Sequence, residues 1–433
     1  MKQPYYETLT LDKIVGGGQS LGTLDDGRKA FVWGGLPGEN VTIRITKKKS
    51  HFVEGIVSDI LTKSSRRVAP HDTTSYLSTS PWQIMSFDDE NHYKAALIEE
   101  AFELHDIVLP KAIEVFTDSV EYGYRNKVEF SWFGSLSPKQ TEHLDLAFFQ
   151  RGSKGKIPVD GTSLAHESIN RLARSIRDLL QSHGVTARQL KTLLIRCNQA
   201  GECVWQLYVK DESFGAISKK DALQLPAKGG EIIYSDPRSP ASRITKRLAS
   251  YGEIVLVDTI LGVPFHYATE GFFQINIPVY EQALRDMERY IDPSRPVVDL
   301  YSGVGTIGLT IGGPSPELVE INADAVREMK RNIHALRPHA KAILAPSEQA
   351  LETITSDKTI IIDPPRAGLH HDVIEKLLEV KPTRIIYLSC NPVTQARDTA
   401  LLAAQYGINT HRGYNFFPRT PHIEHLIVLD LKK

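Results

Sequence analysis

The sequence Arg384-Ile-Ile-Tyr-Leu-Ser-Cys-Asn-Pro-Val393 is an apolar, β-branched run that ends abruptly. Such a run is typical of a buried strand. Pro392 cannot donate to a ladder and favours an extended conformation in the residue before it, so we expect the strand to stop there. Cys390 is therefore predicted at the carboxyl end of a sheet, the edge where open α/β sheets bind their ligands.

Two interpretations of Cys390 are open at this point. A cysteine with an ordinary pKa of about 8.5 keeps a few per cent of thiolate at neutral pH, which makes it a ready nucleophile. A lone cysteine at a strand end is more often only a small buried apolar side chain. The motifs that surround Cys390 favour the nucleophile.

Length and composition limit the possible classes of protein. A chain of 433 residues has room for about two to four domains. Its three cysteines argue against a disulfide framework and a cysteine-based zinc site, and favour a reducing cytoplasm. With 51 basic and 52 acidic residues, any nucleic-acid footprint has to be local. No apolar run approaches the ~20 residues of a membrane span, so we expect a soluble, untargeted protein.

Strands and helices alternate from residue 251 onward, as a doubly wound parallel sheet requires. The predicted fold class is α/β, with a Rossmann-like sheet preceded by a small oligonucleotide-binding β-barrel and an α+β central domain. The expected boundaries are 1–68 for the barrel, 69–250 for the central domain and 251–433 for the sheet domain. A helix at 91–105 is expected to pack on the last of these.

The predicted barrel carries a local positive charge. Short β-like runs alternate with glycine-rich turns between Leu11 and Val68, a pattern typical of small barrels that often bind oligonucleotides. Seven lysines and arginines against two acids lie between Val41 and Val68. A run of charged residues is commonly just a surface exposed to solvent. Because this run lies in a barrel of a type that often binds oligonucleotides, contact with RNA is an equally good interpretation.

A glycine-rich turn follows a second predicted strand, in Asp299-Leu-Tyr-Ser-Gly-Val-Gly-Thr-Ile-Gly308, and Glu320 ends the next strand. The glycine spacing formally fits a dinucleotide fingerprint, which is a weak signal by itself. Asp299 would repel a pyrophosphate but suits the cationic amino-acid end of S-adenosylmethionine, so that cofactor is favoured. Glu320 can accept from ribose hydroxyls with either ligand.

A third strand tip is predicted in Ile361-Ile-Asp-Pro-Pro-Arg-Ala-Gly368, where a carboxylate precedes two rigid prolines. A Pro-Pro pair alone marks any loop. At this place in the sheet, the loop is predicted to line the active cleft.

These loops together resemble the RNA uracil-5-methyltransferase family along nearly the whole chain. Six motifs occur in the family's order: Gly271-Phe-Phe-Gln-Ile-Asn276, Asp299-Leu-Tyr-Ser-Gly-Val-Gly305, Val319-Glu-Ile-Asn322, Asp363-Pro-Pro-Arg366, Leu388-Ser-Cys-Asn-Pro392 and Pro421-His-Ile-Glu-His425. The amino-terminal glycine-rich pattern, with Phe31-Val-Trp-Gly-Gly-Leu-Pro-Gly-Glu39, resembles the TRAM domain.

The resemblance implies an S-adenosylmethionine-dependent RNA (uracil-5-)-methyltransferase with a methyltransferase sheet and an RNA-delivering TRAM domain. The site residues implied are Cys390 as nucleophile, Glu424 as base, and Gln274, Tyr301, Thr306, Glu320 and Asp363 as cofactor contacts. The implied partner is structured RNA with an extruded uridine, with ribosomal RNA favoured and transfer RNA open. We expect a monomer without a membrane partner.

The sequence departs from the family in two places. Relatives with a TRAM domain commonly hold an iron–sulfur cluster on four cysteines, whereas Leu77 and Ser80 stand at two of those places and Thr162 near a third. We therefore expect no cluster and no metal. Pro346 stands where relatives usually offer Asp or Asn to the cofactor, so a contact is expected to be lost or taken over by Ser347.

Two other functions remain open from the sequence. The Asp363-Pro-Pro loop could serve a methyltransferase for exocyclic amino groups, with Cys390 only structural. The chain could also be an RNA-binding protein on a degenerate methyltransferase scaffold. If the enzyme acts on uracil, aromatic side chains are candidates to stack on the extruded base, although each is more often a core residue: Phe272, Phe273, Phe416 and Phe417.

Overall fold

The structure is a computed structural model that describes residues 5–136, 142–337 and 339–433. Its strands are β1 (Tyr6–Ile14), β2 (Ser20–Thr23), β3 (Lys29–Trp33), β4 (Asn40–Lys48), β5 (Phe52–Thr62), β6 (Val115–Phe116), β7 (Lys127–Leu136), β8 (Glu142–Phe149), β9 (Lys156–Val159), β10 (Leu190–Cys197), β11 (Cys203–Val209), β12 (Gly229–Tyr234), β13 (Lys246–Gly252), β14 (Val255–Ile260), β15 (Val263–Ala268), β16 (Val297–Leu300), β17 (Glu317–Glu320), β18 (Lys341–Leu344), β19 (Thr359–Ile362), β20 (Arg384–Ser389), β21 (Tyr406–Tyr414) and β22 (Glu424–Leu431). Its helices are α1 (Tyr76–Thr79), α2 (Phe87–Glu103), α3 (Glu167–Ser182), α4 (Lys219–Gln224), α5 (Ile277–Glu288), α6 (Thr306–Ile311), α7 (Ala323–Leu336), α8 (His371–Val380) and α9 (Pro392–Leu402), with 3₁₀ turns at Ser347–Gln349 and Leu351–Thr353.

The chain divides into two compact units. The first contains Met1–Asp89 and Val120–Leu256, and the second contains Glu90–Ser119 and Val257–Lys433. The three expected domain boundaries remain predictions. Within the described residues, no helix combines the length and the low polarity that a membrane crossing demands.

The first unit begins with a closed barrel of strand order β1-β2-β3-β5-β4, as predicted from the glycine-rich turns. Alternate side chains point inward because the side-chain period of a strand is two. The residues that fill the barrel include Leu9, Leu11, Val32, Val41, Ile43 and Val53. Gly22 is required by close packing, since a Cβ there would lie 2.4 Å from the carbonyl oxygen of Thr10.

Part of the basic run in the barrel has a structural role. Arg67 is buried against Glu39 and donates two hydrogen bonds to its carboxylate, from Nε at 2.7 Å and Nη2 at 2.6 Å. Lys47 forms an ion pair with Glu54. These two cations are engaged within the barrel, which leaves fewer charges for RNA than the sequence count indicated.

The rest of the first unit is a seven-stranded sheet of order β13-β12-β11-β10-β7-β8-β9. Helix α3 packs on it through apolar residues at helical spacing, because Ile169, Leu172, Ala173, Ile176 and Leu180 share one face. Its largest buried partners in the sheet are Trp132, Trp205 and Phe130.

A polar network occupies the region where the family resemblance would place a metal cluster. The carboxylate of Asp72 accepts hydrogen bonds from the Ser163 hydroxyl at 2.8 Å, the Gln83 amide at 3.0 Å and the Thr162 hydroxyl at 3.2 Å. Gln83 also donates to the Ser80 hydroxyl at 2.7 Å. Two of the non-cysteine residues singled out from the sequence, Ser80 and Thr162, thus take part in one hydrogen-bonded network.

No group of three or more histidine, cysteine or acidic side chains suited to a metal occurs among the residues that the structure describes. The expected absence of an iron–sulfur cluster stays a prediction. The Asp72 network shows how the chain joins these segments through hydrogen bonds.

Asp72→Ala is expected to destabilise the first unit by about 2 to 4 kcal/mol, because several buried or half-buried donors lose a charged acceptor at once. Thermal denaturation should therefore show a midpoint lowered by several degrees. Asp59→Ala is the matched control, since Asp59 is an exposed carboxylate of the barrel strand β5. An equal midpoint for both variants would show that the network contributes nothing.

The second unit contains an eight-stranded sheet of order β18-β17-β16-β19-β20-β22-β21-β6. Strands β16 to β20 are mutually parallel, while β22 runs antiparallel to β20 and β21. The predicted α/β class with a doubly wound sheet is thereby confirmed. Residues buried along its parallel strands are almost all β-branched or leucine, as a sheet covered on both faces demands.

Residues 90–119 complete this sheet from a distant part of the chain. Helix α2 contributes Ile98, Ala101 and Phe102 to the same core as the parallel strands. Strand β6 then pairs in parallel with the end of β21. The helix expected at 91–105 is found at Phe87–Glu103 and packs in the core of the second unit.

Candidate active site

The carboxyl ends of the parallel strands meet at one edge of the sheet and bring four predicted site residues together. Tyr301 follows β16, Glu320 ends β17, Asp363 follows β19 and Cys390 follows β20. Neighbouring strands in this order are directly hydrogen-bonded, so their ends are adjacent. This is the edge where an α/β sheet is expected to bind its ligand.

The glycine-rich turn after β16 is shaped by residues with positive φ. Tyr301 has φ 62°, Gly303 φ 57° and Gly305 φ 87°. From this turn, Gly303 N donates to the carboxylate of Glu320 at 2.9 Å, and the same carboxylate accepts from Asn322 N, after β17, at 2.7 Å. A carboxylate has about four acceptor positions, so Glu320 can still accept from hydroxyls of a ligand.

Asp299 lies beneath this turn and is fully buried. One carboxyl oxygen accepts from Gly308 N at 2.9 Å, whereas the other has no hydrogen-bond partner. Burial raises the pKa of Asp299 to about 8, and the nearby Asp363 and Glu320 add to the shift. An unpartnered buried carboxyl oxygen fits a cationic ligand, as the sequence predicted for this position.

Thr306 and Gln274 meet around a tyrosine that the sequence analysis did not single out. The hydroxyl of Tyr280, on α5, lies 2.7 Å from the Thr306 hydroxyl. Burial raises the pKa of Tyr280 well above its usual value, while hydrogen bonds with Thr306 and Gln274 oppose the shift. Tyr280 thus joins two of the predicted cofactor residues.

Ser347, next to Pro346, is hydrogen-bonded to one of the predicted cofactor residues. Its side chain is buried, in the turn that follows β18. Burial raises the pKa of Tyr301, and a hydrogen bond from Ser347 opposes that shift. The loop that lacks a polar side chain at Pro346 therefore still reaches the site through Ser347.

Cys390 and Glu424 lie beside the last paired residues of two antiparallel strands. Ser389, the last residue of β20, pairs with His425 of β22; Cys390 follows Ser389 and Glu424 precedes His425. The charge of Glu424 raises the pKa of the Cys390 thiol, so the two side chains are close to each other. Glu424 was expected in a loop before this strand, but it is the first residue of β22.

The surroundings of the Cys390 thiol and of the Glu424 carboxyl group favour their protonated forms. Burial raises the pKa of Cys390 to about 11, and the charges of Glu424 and Asp363 contribute. Burial also raises the pKa of Glu424 well above its usual value, with a contribution from Asp363. The prediction that Cys390 keeps a few per cent of thiolate, based on an ordinary pKa, was therefore wrong, because burial and neighbouring acids favour the thiol.

Arg366 is the counter-charge that the sequence analysis quoted in a motif without assigning a role. Its charge lowers the pKa of both Cys390 and Glu424. Its backbone carbonyl accepts from the Asn391 amide at 2.8 Å, which ties the Asp363 loop to the Cys390 loop. A guanidinium Nη2 lies 3.1 Å from His422 Nδ1.

Gln395 joins the ends of β20 and β22 through side-chain hydrogen bonds. Its amide nitrogen donates to the carbonyl oxygens of Tyr387 at 3.0 Å and His425 at 2.9 Å. Its amide oxygen lies 2.7 Å from His425 Nδ1. The side chain thus bridges β20 and β22 next to the Cys390 and Glu424 positions.

The four aromatic candidates separate by exposure. Phe273 and Phe416 are buried in the core, where Phe273 stacks on Tyr267 with ring centres 3.9 Å apart. Phe272 is 69% exposed, and Phe417 is half-buried with its ring nearly perpendicular to that of His422. Only Phe272 and Phe417 among the four retain a surface for an incoming base.

Comparisons with known proteins agree with this architecture. Residues 348–432 match the model of the tRNA (uracil-5-)-methyltransferase family, and residues 11–58 match the TRAM domain. An uncharacterized RNA methyltransferase of Nitratidesulfovibrio vulgaris is 25% identical over 98% of this chain and 96% of its own length. Another, from Fusobacterium nucleatum, is 27% identical over 98% and 95%.

A solved structure shares the fold over the whole chain. The tRNA (uracil-54, C5)-methyltransferase of Pyrococcus abyssi, crystallised with S-adenosyl-L-homocysteine, superposes with a TM-score of 0.79. The alignment covers 98% of this chain and 100% of that one, at 20% identity. At this identity the likeness establishes the fold.

The chain is similar over nearly its whole length to proteins named RNA methyltransferases, and its amino-terminal part matches the TRAM domain. Its resemblance to the RNA uracil-5-methyltransferase family, read first from the six motifs, is confirmed by the matches. The alternative of an RNA-binding protein on a degenerate methyltransferase scaffold stays a prediction.

Proposed function

We propose that the protein methylates carbon 5 of a specific uridine in RNA through a covalent bond between Cys390 and the uracil ring. The observation that carries this proposal is the proximity of Cys390 and Glu424 beside the last residue pair of β20 and β22. A nucleophile and a base held on one edge are the two groups that this chemistry requires.

We further propose that the methyl donor is S-adenosylmethionine, which supplies an electrophilic methyl group when bound. Its binding residues would be Gln274, Tyr301, Thr306, Glu320 and Asp363, as the family resemblance implies. The acidic character of this edge supports the proposal: Asp299 keeps an unpartnered buried oxygen, and Asp363 is buried enough to raise its pKa to about 7. Carboxyl groups in such surroundings are suited to a ligand with positive charge.

The residues of the chain would act in a fixed order. The Cys390 thiolate adds to carbon 6 of uracil, which makes carbon 5 nucleophilic toward the methyl group. The Glu424 carboxylate then removes the proton from carbon 5, and the electron pair re-forms the ring double bond as the Cys390 thiolate leaves. Both groups must first lose their protons, and the positive charge of Arg366 lowers both pKa values in that direction.

The target base would have to leave its stack to reach Cys390. Unstacking costs a few kcal/mol, which an aromatic platform can offset by about 1 to 3 kcal/mol per stacked base. Phe272 and Phe417 are the proposed platforms because their rings are accessible. We propose that the protein works as a monomer in the cytoplasm.

Ribosomal RNA is the proposed substrate, as the resemblance to the family favoured. Transfer RNA is the second candidate, because the matched family model and the P. abyssi protein both carry transfer RNA in their names. Mass spectrometry of both RNA classes from a deletion strain tests the choice. A 5-methyluridine lost only from transfer RNA would overturn the ribosomal assignment, and loss from neither would contradict the activity.

Cofactor affinity is expected to rise with pH. Asp363 and Asp299 have pKa values of about 7 and about 8 in the free protein, so both are partly protonated at neutral pH. A bound cation favours their ionised forms and so releases protons. Affinity therefore increases from about pH 6 to about pH 9, by up to about tenfold per pH unit for each proton released.

Isothermal titration calorimetry in buffers of different ionisation enthalpy measures this release directly. S-adenosylhomocysteine lacks the sulfonium charge and should show a weaker pH dependence. Asp363→Asn should remove the component near pH 7 that its own carboxyl group contributes. An affinity independent of pH for wild-type protein would contradict the acidic site.

A further inference from the structure

Two cysteines outside the candidate active site face each other across a β-hairpin. Cys197 is the last residue of β10 and Cys203 the first of β11, and the register pairs them directly. Both are 1% exposed and belong to the same apolar core, so their side chains project from the same face of the sheet. The six-residue separation in the sequence gave no hint of this juxtaposition.

The backbone hydrogen bonds show which kind of antiparallel pair this is. Cys197 N donates to Asn126 O, toward β7, and Cys203 O accepts from Lys228 N, toward β12. The hydrogen bond between the two strands is made at the next pair, where Asn198 N donates to Glu202 O at 3.0 Å. Cys197 and Cys203 are therefore a non-hydrogen-bonded pair.

Residues of a non-hydrogen-bonded pair make the closest approach in an antiparallel sheet. Their Cα atoms lie about 4.5 Å apart, which falls within the range of about 4.4 to 6.8 Å that disulfides span. All three cysteines of the chain carry thiols in the structure. The Cys203 thiol donates to the Gly201 carbonyl oxygen, with 3.6 Å between sulfur and oxygen. The backbone thus meets the distance requirement of a disulfide while the thiols remain reduced.

We propose that Cys197 and Cys203 form a reversible cross-strand disulfide when the protein meets a low-molecular-weight disulfide. One thiolate attacks that disulfide, which forms a mixed disulfide and releases one small thiolate. The second protein thiolate attacks the protein sulfur, which closes the Cys197–Cys203 bond and releases the other small thiolate. Two protein thiols are oxidised and one small disulfide is reduced to two thiols.

Access to the buried pair comes from the hairpin tip. Residues 199 and 200 are exposed, and the turn between the two strands contains only the five residues 198–202. Local opening of such a tip exposes the two thiols without unfolding the sheet. The crosslink would join the end of β10 to the start of β11. It lies at the residue whose N–H donates to Asn126 O, beside β7.

The test is equilibration of the full-length chain with mixtures of a small disulfide and its thiol, at denaturant concentrations below the unfolding transition. Remaining thiols are alkylated under denaturing conditions, and peptides are mapped by mass spectrometry. We expect a Cys197–Cys203 crosslink that forms in the Cys390→Ser variant and is absent from Cys203→Ser. The crosslinked protein should resist denaturant better than the reduced protein, and a reductant should reverse the shift.

Each contrary result overturns the proposal. Full alkylation of Cys197 and Cys203 at the most oxidising mixture would show that the folded pair does not close. A crosslink from either residue to Cys390 would show that the register does not govern the reaction. Equal denaturant midpoints for oxidised wild type and oxidised Cys203→Ser would show that the bond does not fasten the hairpin.

Discussion

Cys390→Ala is expected to abolish methylation, with turnover lower by at least about 10⁴-fold, because no other group can form the covalent bond to carbon 6. Methyl transfer from labelled S-adenosylmethionine to the RNA measures the loss. Cofactor affinity should change little, since the thiol is placed at the uracil rather than among the proposed cofactor contacts. Cys203→Ser is the matched control, because Cys203 lies in the core of the first unit.

RNA containing 5-fluorouridine at the target position provides the complementary result. Fluorine cannot leave carbon 5 as a cation, so the reaction should stop at the covalent stage. Wild-type protein should then give a slowly migrating band on a denaturing gel, and Cys390→Ala should give none. Persistent methylation of amino groups by Cys390→Ala would instead support the exocyclic alternative.

The sheet that holds the site was predictable because the residue composition of each strand identifies it in the sequence. Val297–Leu300, Thr359–Ile362 and Arg384–Ser389 are short β-branched runs that end at polar or proline-containing turns. Parallel strands buried on both faces have this composition, and their carboxyl ends meet at one edge. The proximity of Asp363 and Cys390 therefore followed from two strand ends alone.

Features that depend on distant segments were not predictable in the same way. The two residues of β6 pair with β21 across about three hundred positions, and no periodicity exists in two residues. Tyr280 reaches Thr306 only because α5 packs beside α6. Nothing in the sequence distinguishes Asp72 among the 52 acidic residues. Only the fold places its carboxylate within hydrogen-bond distance of the Ser163 hydroxyl.

The protonation behaviour of Cys390 and Glu424 was the property hardest to predict from the sequence. An ordinary pKa was assumed for Cys390, whereas burial and two neighbouring acids raise it to about 11. These causes are tertiary, since Glu424 lies near Cys390 only through the pairing of β20 with β22. The sequence named the two groups as a pair to test, but the shifts of their pKa values required the fold.

Glu424→Gln is expected to stall the reaction after methyl transfer. If Cys390 attacks and Glu424 only removes the carbon 5 proton, the variant should still add to uridine and still transfer the methyl group. Glutamine cannot accept the proton, so release of product should slow by about 10² to 10⁴-fold. Methylated RNA should accumulate on Cys390 as a shifted band on a denaturing gel.

The same variant should fold normally, and this makes the stall interpretable. Burial raises the pKa of Glu424 well above its usual value, which favours the protonated carboxyl group, and glutamine is close to that form in size and charge. Unchanged thermal stability together with the trapped adduct would assign Glu424 as the base. Turnover at the wild-type rate, or an adduct that maps to Cys197 or Cys203, would contradict the roles proposed for Glu424 and Cys390.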